Sequence, residues 1–574
     1  MAKDTNTVIG VPEDEKPTST TPDNDNERDQ QIADTPIAYP SGAKLVLILA
    51  ATALSIFLVA LDTTIVATAI PQITDDFHSL DDVGWYGSGF FMTTAAFQSL
   101  WGKAYKYFSI KLVYLLAIVI FEIGSLVCAL APNSAALIIG RAIAGVGGAG
   151  IVAGSYLIVG ISAPPARTPA LMGIIGASFA VASVAGPLIG GKVKPYADYL
   201  TRCLLGAFGV VNLPVGALSF AIVLFFFTTP SHSKPVKATW KEKLLQMEVS
   251  SMENLDERLM LTVQHILGTF TILAALICFL LAMQWAGITK PWDSRDVIGT
   301  LVSTGVLSIA FVVLEWYLGD RAAVNPRLLK NKTIGLMMVY QVLVSGTFFV
   351  LLYYLPIYFQ SVSGVSPANS GVRNIPMIIG SCIFAITAGI IIAMTGEYQA
   401  FMIIGSTLIC IGSGLIYTLG VGSGSGEWIG YQVLAGVGMG MAMQIGVTVS
   451  QAVVDPADLS EASAMAIFFQ LLGGAIWIGV AQAIFSNRLV QGLTANLGAE
   501  GPMQVIAAGA TGLRNLLAGD ELQAAIESYM VGLRDAYAVS IALAGAGAII
   551  GVLSVILDRR QIGKGMKAVV AVAE

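Results

Sequence analysis

The sequence predicts an all-α polytopic membrane protein of about fourteen transmembrane helices, arranged as two six-helix halves with two extra spans between them. Three observations carry this. Of the 574 residues, 55% are hydrophobic and 12% charged, with a mean hydropathy of +0.75; a soluble domain carries roughly 25% charged residues. From Leu45 onward, apolar runs of roughly 20 residues recur, each long enough to cross about 30 Å of hydrocarbon as a helix. A short pattern in the fourth run also returns in the twelfth.

Residues 1–42 are polar and rich in Asp, Glu, Pro, Thr and Asn. They cannot bury a core and are expected to be a disordered cytoplasmic tail. No basic segment followed by a cleavable apolar stretch opens the chain, so the first run is expected to act as the targeting signal. The N-terminal half, 43–228, holds runs at 44–70, 83–103, 112–131, 135–160, 169–190 and 205–228. A cytoplasmic linker, 229–266, precedes the central pair, 267–287 and 297–317. The C-terminal half, 334–558, has runs at 334–360, 375–395, 400–420, 428–450, 462–486 and 537–557, with a long extracellular connection at 487–536 and a cytoplasmic tail at 559–574. Leu513, Leu516, Leu517, Leu522, Ala525 and Ile526 alternate with charges in that connection, which predicts short surface amphipathic helices.

Orientation follows from the short loops. Lys103, Lys106, Lys111, Arg167, Arg321, Arg327, Lys330 and Lys332 all fall on one side of an even number of spans, as do Arg559, Arg560, Lys564 and Lys567. That side is the cytoplasm, and both termini lie there. Four of the cysteines sit inside apolar runs, and the three histidines, His78, His232 and His265, lie far apart. Neither set has metal-ligand, disulfide or catalytic spacing. No phosphate-cradling P-loop is present, so ATP is not the energy source.

The repeat pairs Arg141-Ala-Ile-Ala-Gly-Val-Gly147 with Gln432-Val-Leu-Ala-Gly-Val-Gly438, so Arg141 falls on Gln432. The second run is fourth from the start of its own set of six, as the first is. The stretch Gly173 to Gly191 is apolar, crowded with glycine and closed by Gly186-Pro187 and Gly190-Gly191. It reads either as a tight helix–helix seam or as a helix that bends at its proline.

Charges at membrane depth cost about 2.5–3.5 kcal/mol on insertion scales, so each needs a reason. Asp62 is either a carboxylate whose protonation couples to movement or a buried acid bonded to Thr63, Thr64 or a neighbouring helix. Arg141 cannot lose its proton; it either faces a cavity as a fixed charge, the favoured reading, or pairs with an acid for structure. Glu122 is either a partner for such a charge or a snorkelling side chain. Gln98, Gln341, Tyr353, Gln432 and Gln444 are candidate cavity-lining residues among many aromatics; such a wall suits a large, weakly polar ligand.

These residues together resemble the major facilitator superfamily, and within it the fungal fourteen-span drug:proton antiporters. Leu61-Asp62-Thr-Thr-Ile-Val66 with Ala69-Ile70-Pro71 is similar to the first-helix motif. Leu137, Arg141, Gly145, Gly147 and Gly148 are similar to the fourth-helix motif, whose arginine is associated with proton transfer. Gly173, Gly186, Pro187, Gly190 and Gly191 fall at the spacing of the antiporter motif, and Tyr353-Tyr-Leu-Pro-Ile-Tyr-Phe-Gln360, Ser370-Gly371 and Pro376 resemble the fungal subgroup. The resemblance implies a proton-coupled exporter of drugs, toxins or a fungal secondary metabolite in the plasma membrane, with the vacuolar membrane second. Its implied partners are a small-molecule substrate, protons and the lipid bilayer; it implies a monomer with no cofactor, no metal and no nucleic acid. Transporters of siderophores, sugars or basic amino acids are the nearest alternative, and a receptor or membrane-embedded enzyme the more distant one.

The sequence also departs from the family. Ala182 stands where glycine is usual, and Lys106 stands where the superfamily places an aspartate in the loop after the second helix, which puts an acid-based latch there in doubt. Residues 192–211 and 249–264 interrupt otherwise family-like sequence and read as insertions of the kind unspliced introns leave.

Overall fold

The computed structural model describes residues 39–77, 83–164, 167–190, 201–229, 255–319, 322, 324–498 and 501–557, of which 64–77, 187–190, 201–211 and 255–266 are described as backbone only. Among them there are helices and no strands. The expected tails and most of the 229–266 linker therefore lie outside the described residues, as do Gly191, 192–200 and 249–254; 201–211 and 255–264 are helical.

The N-terminal half comprises α1 (Gly42–Phe77), α2 (Val83–Tyr107), α3 (Ile110–Ala129), α4 (Ser134–Ser162), α5 (Thr168–Gly190) and α6 (Thr201–Phe226). The central pair is α7 (Leu255–Trp285) and α8 (Arg295–Leu318). After the one-turn α9 (Pro326–Leu329), the C-terminal half runs through α10 (Lys332–Ser361), α11 (Pro367–Arg373), α12 (Ile375–Thr395), α13 (Tyr398–Tyr417), α14 (Ser425–Ala442), α15 (Ile445–Val453), α16 (Leu459–Leu497), α17 (Gly501–Leu516) and α18 (Gly519–Leu557). Eleven of these segments, counting α14 and α15 as one, are long and apolar enough to cross a membrane. The other three runs read from the sequence fall on α2, α5 and α6, which are helices of 25, 23 and 26 residues but do not meet that measure among the described residues.

Local chemistry explains many helix ends. Asn133, Ser294, Asn325, Asn331 and Ser366 each cap a helix N-terminus by accepting a hydrogen bond from a first-turn N–H. Gly396 ends α12 in the left-handed conformation at φ 74°, where its N–H closes on Ile392.

The repeat seen in the sequence is a repeat in packing. Helix α4 lies between α2 and α3, and α14 lies in the same way between α12 and α13. The glycines make both approaches possible. Gly145 lies against the Phe90 backbone of α2 and Gly436 against Met377 of α12; Gly147 meets Phe121 of α3 and Gly438 meets Ile409 of α13. In each case an added Cβ would collide with main chain, so a larger residue must push the helices apart.

The central pair packs on itself, and α7 also touches α2 and α16. Helix α8 buries little: Val302, Val306, Ile309, Val313 and Trp316 are exposed, an apolar face suited to hydrocarbon. The connection at 487–536 is mostly the continuation of its flanking helices. At 39 residues each, α16 and α18 are about 58 Å long and overrun the bilayer. Their apolar stripe carries on, with Leu489, Leu493, Tyr529, Met530 and Leu533 buried and Arg488 paired to Asp535 at 2.7 Å. The short helix expected there is α17, which docks by Arg514 Nη2 donating to the Val362 carbonyl at 2.8 Å.

Candidate functional site

Asp62 on α1 and Arg141 on α4 form a buried ion pair, 1% and 0% exposed. Arg141 Nη1 donates to Asp62 Oδ2 and to the Asp62 main-chain oxygen at 3.1 Å, while Nε donates to the Tyr86 carbonyl of α2 at 3.0 Å. The guanidinium also stacks over the Phe90 ring, 4.7 Å to its centre. Three helices thus hold one cation in place. On the far side, Asn212 of α6 donates to Ser125 Oγ of α3 at 3.1 Å and lies within reach of the Asp62 carboxylate. Thr63 does not bond Asp62; its hydroxyl donates to the Ala60 carbonyl of its own helix at 2.7 Å. Of the two readings of Asp62, the geometry therefore supplies a charged partner from a neighbouring helix. Chemically the pair is asymmetric: the carboxylate can take up a proton and the guanidinium cannot lose one.

Next to this pair lies a cavity between the two halves, enclosing roughly 70 Å³ and bordered by Thr63 and Phe90 from the pair's surroundings. Drug-sized sites run to about 300 Å³ and more, so a cargo of that size needs these walls to part. Those walls are aromatic. Phe91 meets Phe349 edge to face at 6.0 Å, Phe348 and Phe349 stack edge to face at 5.2 Å, and Phe179 touches both. Phe91 and Phe179 belong to the N-terminal half and the other two to the C-terminal half, so this cluster is where the halves meet. It also reaches the ion pair, because Phe90 contacts both Arg141 and Phe91. Gln444 and Gln470, with the hydroxyls of Thr63, Thr94, Tyr156 and Ser381, supply polar groups in a mostly apolar lining.

One wall is a broken helix. Helix α14 stops at Ala442 and α15 begins at Ile445, leaving Met443 and Gln444 between them on the cavity. The Met443 carbonyl accepts a hydrogen bond from Gln341 Nε2 of α10 at 3.0 Å, so the break leaves that buried oxygen satisfied. Broken helices of this kind are tolerated where they line a cavity.

Toward the end bearing the basic loops, the halves are locked together. Tyr156 Oη donates to Gln444 Oε1 at 3.0 Å, and Gln451 Nε2 donates to Ser463 Oγ at 2.8 Å and to the Tyr156 carbonyl at 3.3 Å. Below them, Lys106 at the end of α2 donates to Asp458 and Glu461 at the start of α16, both at 3.1 Å. Arg327 Nη2 donates to the other Asp458 oxygen at 2.7 Å, and Asn325 Nδ2 to Glu461 Oε2 at 3.3 Å. Burial pulls the Lys106 ammonium toward neutrality, but Glu461 and Asp458 more than offset this and hold its pKa above the usual lysine value. The latch that Lys106 put in doubt is therefore present with its polarity reversed: the cation is on the N-terminal half and the acids are on the C-terminal half.

The remaining sequence candidates are distributed as follows. A Cβ added at Gly173 would collide with the Ala385 carbonyl of α12, and one at Gly176 with Gln444, so the first part of the glycine-rich helix is a seam between the halves. Gly186 is buried; Pro187 and Gly190 lie within α5, and Gly191 lies outside the described residues. Gln444 lines the cavity. Gln98, Gln341, Tyr353 and Gln432 are not among its lining residues: Gln98 and Gln432 are wholly buried between helices, and Gln341 holds the break in α14–α15. Asn212, Tyr156, Asp458 and Glu461 were not singled out from the sequence. Of these, Asp458 and Glu461 left a trace, as two acids at a helix start on the otherwise basic side.

Halves with matching internal packing that meet at a cavity are the architecture of a membrane transporter. The chain belongs to the Major Facilitator Superfamily, whose family model matches residues 52–478. It is 41% identical over 520 residues to the MFS-type transporter thnB of Trichoderma harzianum, covering 91% of this chain and 86% of that one. It is 40% identical to the efflux pump bfoC of Aspergillus brasiliensis, covering 88% and 86%. Among solved structures it resembles a bacterial homologue of the human lysosomal transporter Spinster in an inward-facing conformation, at a TM-score of 0.54 and 16% identity, covering 90% and 98% of the two chains. It also resembles the proton:xylose symporter XylE at 0.53 and 13%, covering 88% and 95%. These structural likenesses concern the fold alone. The family is one of transporters and not of enzymes.

Proposed function

We propose that this protein is a proton-coupled efflux transporter of fourteen spans that exports small, largely apolar organic compounds such as drugs, toxins or a secondary metabolite. The observation that carries the reading is the buried Asp62–Arg141 pair bordering an aromatic cavity at the junction of the halves. Protonating Asp62 removes the negative partner of a buried guanidinium, which changes the packing of α1, α2 and α4 around Phe90. Because Phe90 touches Phe91, and Phe91 touches Phe349 of the other half, that change bears directly on the cavity walls.

Direction and substrate class have separate support. The curated relatives include proteins named efflux pumps. The apolar lining offers a sugar or a cationic amino acid few hydrogen-bonding or acidic partners, which favours an apolar cargo over those alternatives. The charge of the basic loops supports a cytoplasmic side for the sealed end, and the plasma membrane is the expected location. Asp62 and Arg141 act as the coupling pair, Gly173 to Gly191 as the element that slides or bends between the halves, and Gln444 as a polar contact for cargo. The protein works as a monomer with no cofactor. The test is accumulation of candidate compounds, at two external pH values, in cells with and without the protein. Lower accumulation in expressing cells that tracks the proton gradient is expected; accumulation independent of the protein, or of the gradient, would refute export or coupling respectively.

A further inference from the structure

We propose that Glu122 on α3 is a second proton-binding carboxylate, sharing a single negative charge with Asp62 opposite Arg141. The proposal rests on the proton-coupling reading of Asp62 and extends it to a residue outside the ion pair. Glu122 and Ser125 lie one turn apart on the same face of α3, and Asn212 and Gly216 one turn apart on the facing side of α6. Ser125 meets Asn212 through a 3.1 Å hydrogen bond, while Glu122 meets Gly216, forming the next rung of the same interface. Gly216 is what makes room: a Cβ there would fall on the carboxyl group itself.

Both Glu122 carboxyl oxygens are buried and have no hydrogen-bond partner among the described residues. An ionised carboxylate without donors at membrane depth costs several kcal/mol, whereas the neutral acid avoids most of that cost. The charged group that acts on it is Asp62 from α1, itself paired with Arg141 of α4; the described side chains of α6 contribute none. Asp62 already neutralises Arg141, so a second charge on Glu122 would be uncompensated. In the state seen here Glu122 therefore holds the proton and Asp62 the charge. If Asp62 takes up a proton, its negative charge is lost, and with it the repulsion that keeps Glu122 neutral, so Glu122 can release its own proton and become the anion of the site. The net charge of the site is then unchanged.

The test needs no knowledge of the substrate. Infrared spectra of the purified full-length protein at neutral pH, in H₂O and D₂O, should show the stretching band of a buried protonated carboxyl. That band should vanish in Glu122→Gln, which keeps shape and hydrogen-bonding size, and weaken in Asp62→Asn, because Glu122 then becomes the only available anion opposite Arg141. A spectrum unchanged by Glu122→Gln, with the variant's thermal unfolding as in wild type, overturns the proposal, as does a band indifferent to Asp62→Asn. In gradient-driven transport of a compound the wild type exports, both variants should lose pH dependence. Loss in Asp62→Asn with full retention in Glu122→Gln rejects Glu122 and leaves the coupling reading standing; retention in both rejects the coupling reading itself.

Discussion

Lys106 offers the most direct way to move this protein between its conformations. It bridges the halves through two contacts of 3.1 Å, with its own side chain 14% exposed and those of Asp458 and Glu461 9% and 8%. At that distance and an effective dielectric constant of about 20, each pair attracts by about 5 kcal/mol before desolvation. Desolvation and side-chain ordering cancel much of this, and Arg327 and Asn325 remain to serve the acids after Lys106 is lost. A net loss of about 2 kcal/mol for Lys106→Gln is a fair expectation, shifting the ratio of sealed to open forms by roughly thirtyfold. Spin labels on the exposed Leu112 and Ala457, which flank the sealed end on opposite halves, should report a new population at longer distance. Exchanging the charges, Lys106→Asp with Asp458→Lys, should recover most of the short-distance population. A Lys106→Gln distance distribution identical to wild type would refute the latch. Because the lysine's pKa is held above its ordinary value, pH changes near neutrality should leave Lys106 charged, so a pH-dependent shift of the wild-type distribution that persists in Lys106→Gln arises away from the latch.

Other perturbations follow from the same geometry. Gly147→Ala forces a Cβ into the Phe121 backbone and should destabilise the N-terminal half by about 1–3 kcal/mol, whereas Gly414→Ala, with open space around it, should be neutral or slightly stabilising; thermal unfolding in detergent compares them. Gln341→Leu leaves the Met443 carbonyl without its donor and should cost about 1–3 kcal/mol, read as faster amide exchange across residues 440–448. Phe349→Ala removes the ring that joins Phe91, Phe179 and Phe348, and should widen the range of compound sizes exported while weakening selection for flat aromatic ones.

Much of this was legible from residues alone, for definite reasons. Membrane depth makes charges expensive, so Asp62 and Arg141 stood out before their contact was known. Close helix approach requires small residues, so the two AGVG stretches marked the positions where α4 and α14 nest between their neighbours. What was hidden depends on tertiary registration. Nothing local in Gln341 says that it faces a break about 100 positions downstream, and the break carries no proline of its own. Lys106 looked like a lost latch because its partners lie about 350 positions downstream. The 487–536 connection looked like a loop because its apolar stripe is diluted with charges, yet Leu489, Leu493 and Leu533 are enough to keep α16 and α18 packed outside the bilayer.

The central claim is that proton binding at Asp62 drives export. Its most direct measurement is proton movement itself, followed with a pH-sensitive dye in lightly buffered proteoliposomes when an exported compound is added. The wild type should move protons opposite to the compound, and Asp62→Asn should carry the compound down its own gradient with no proton flux. Equal proton flux in both proteins, or none in the wild type while the compound is transported, would contradict the account.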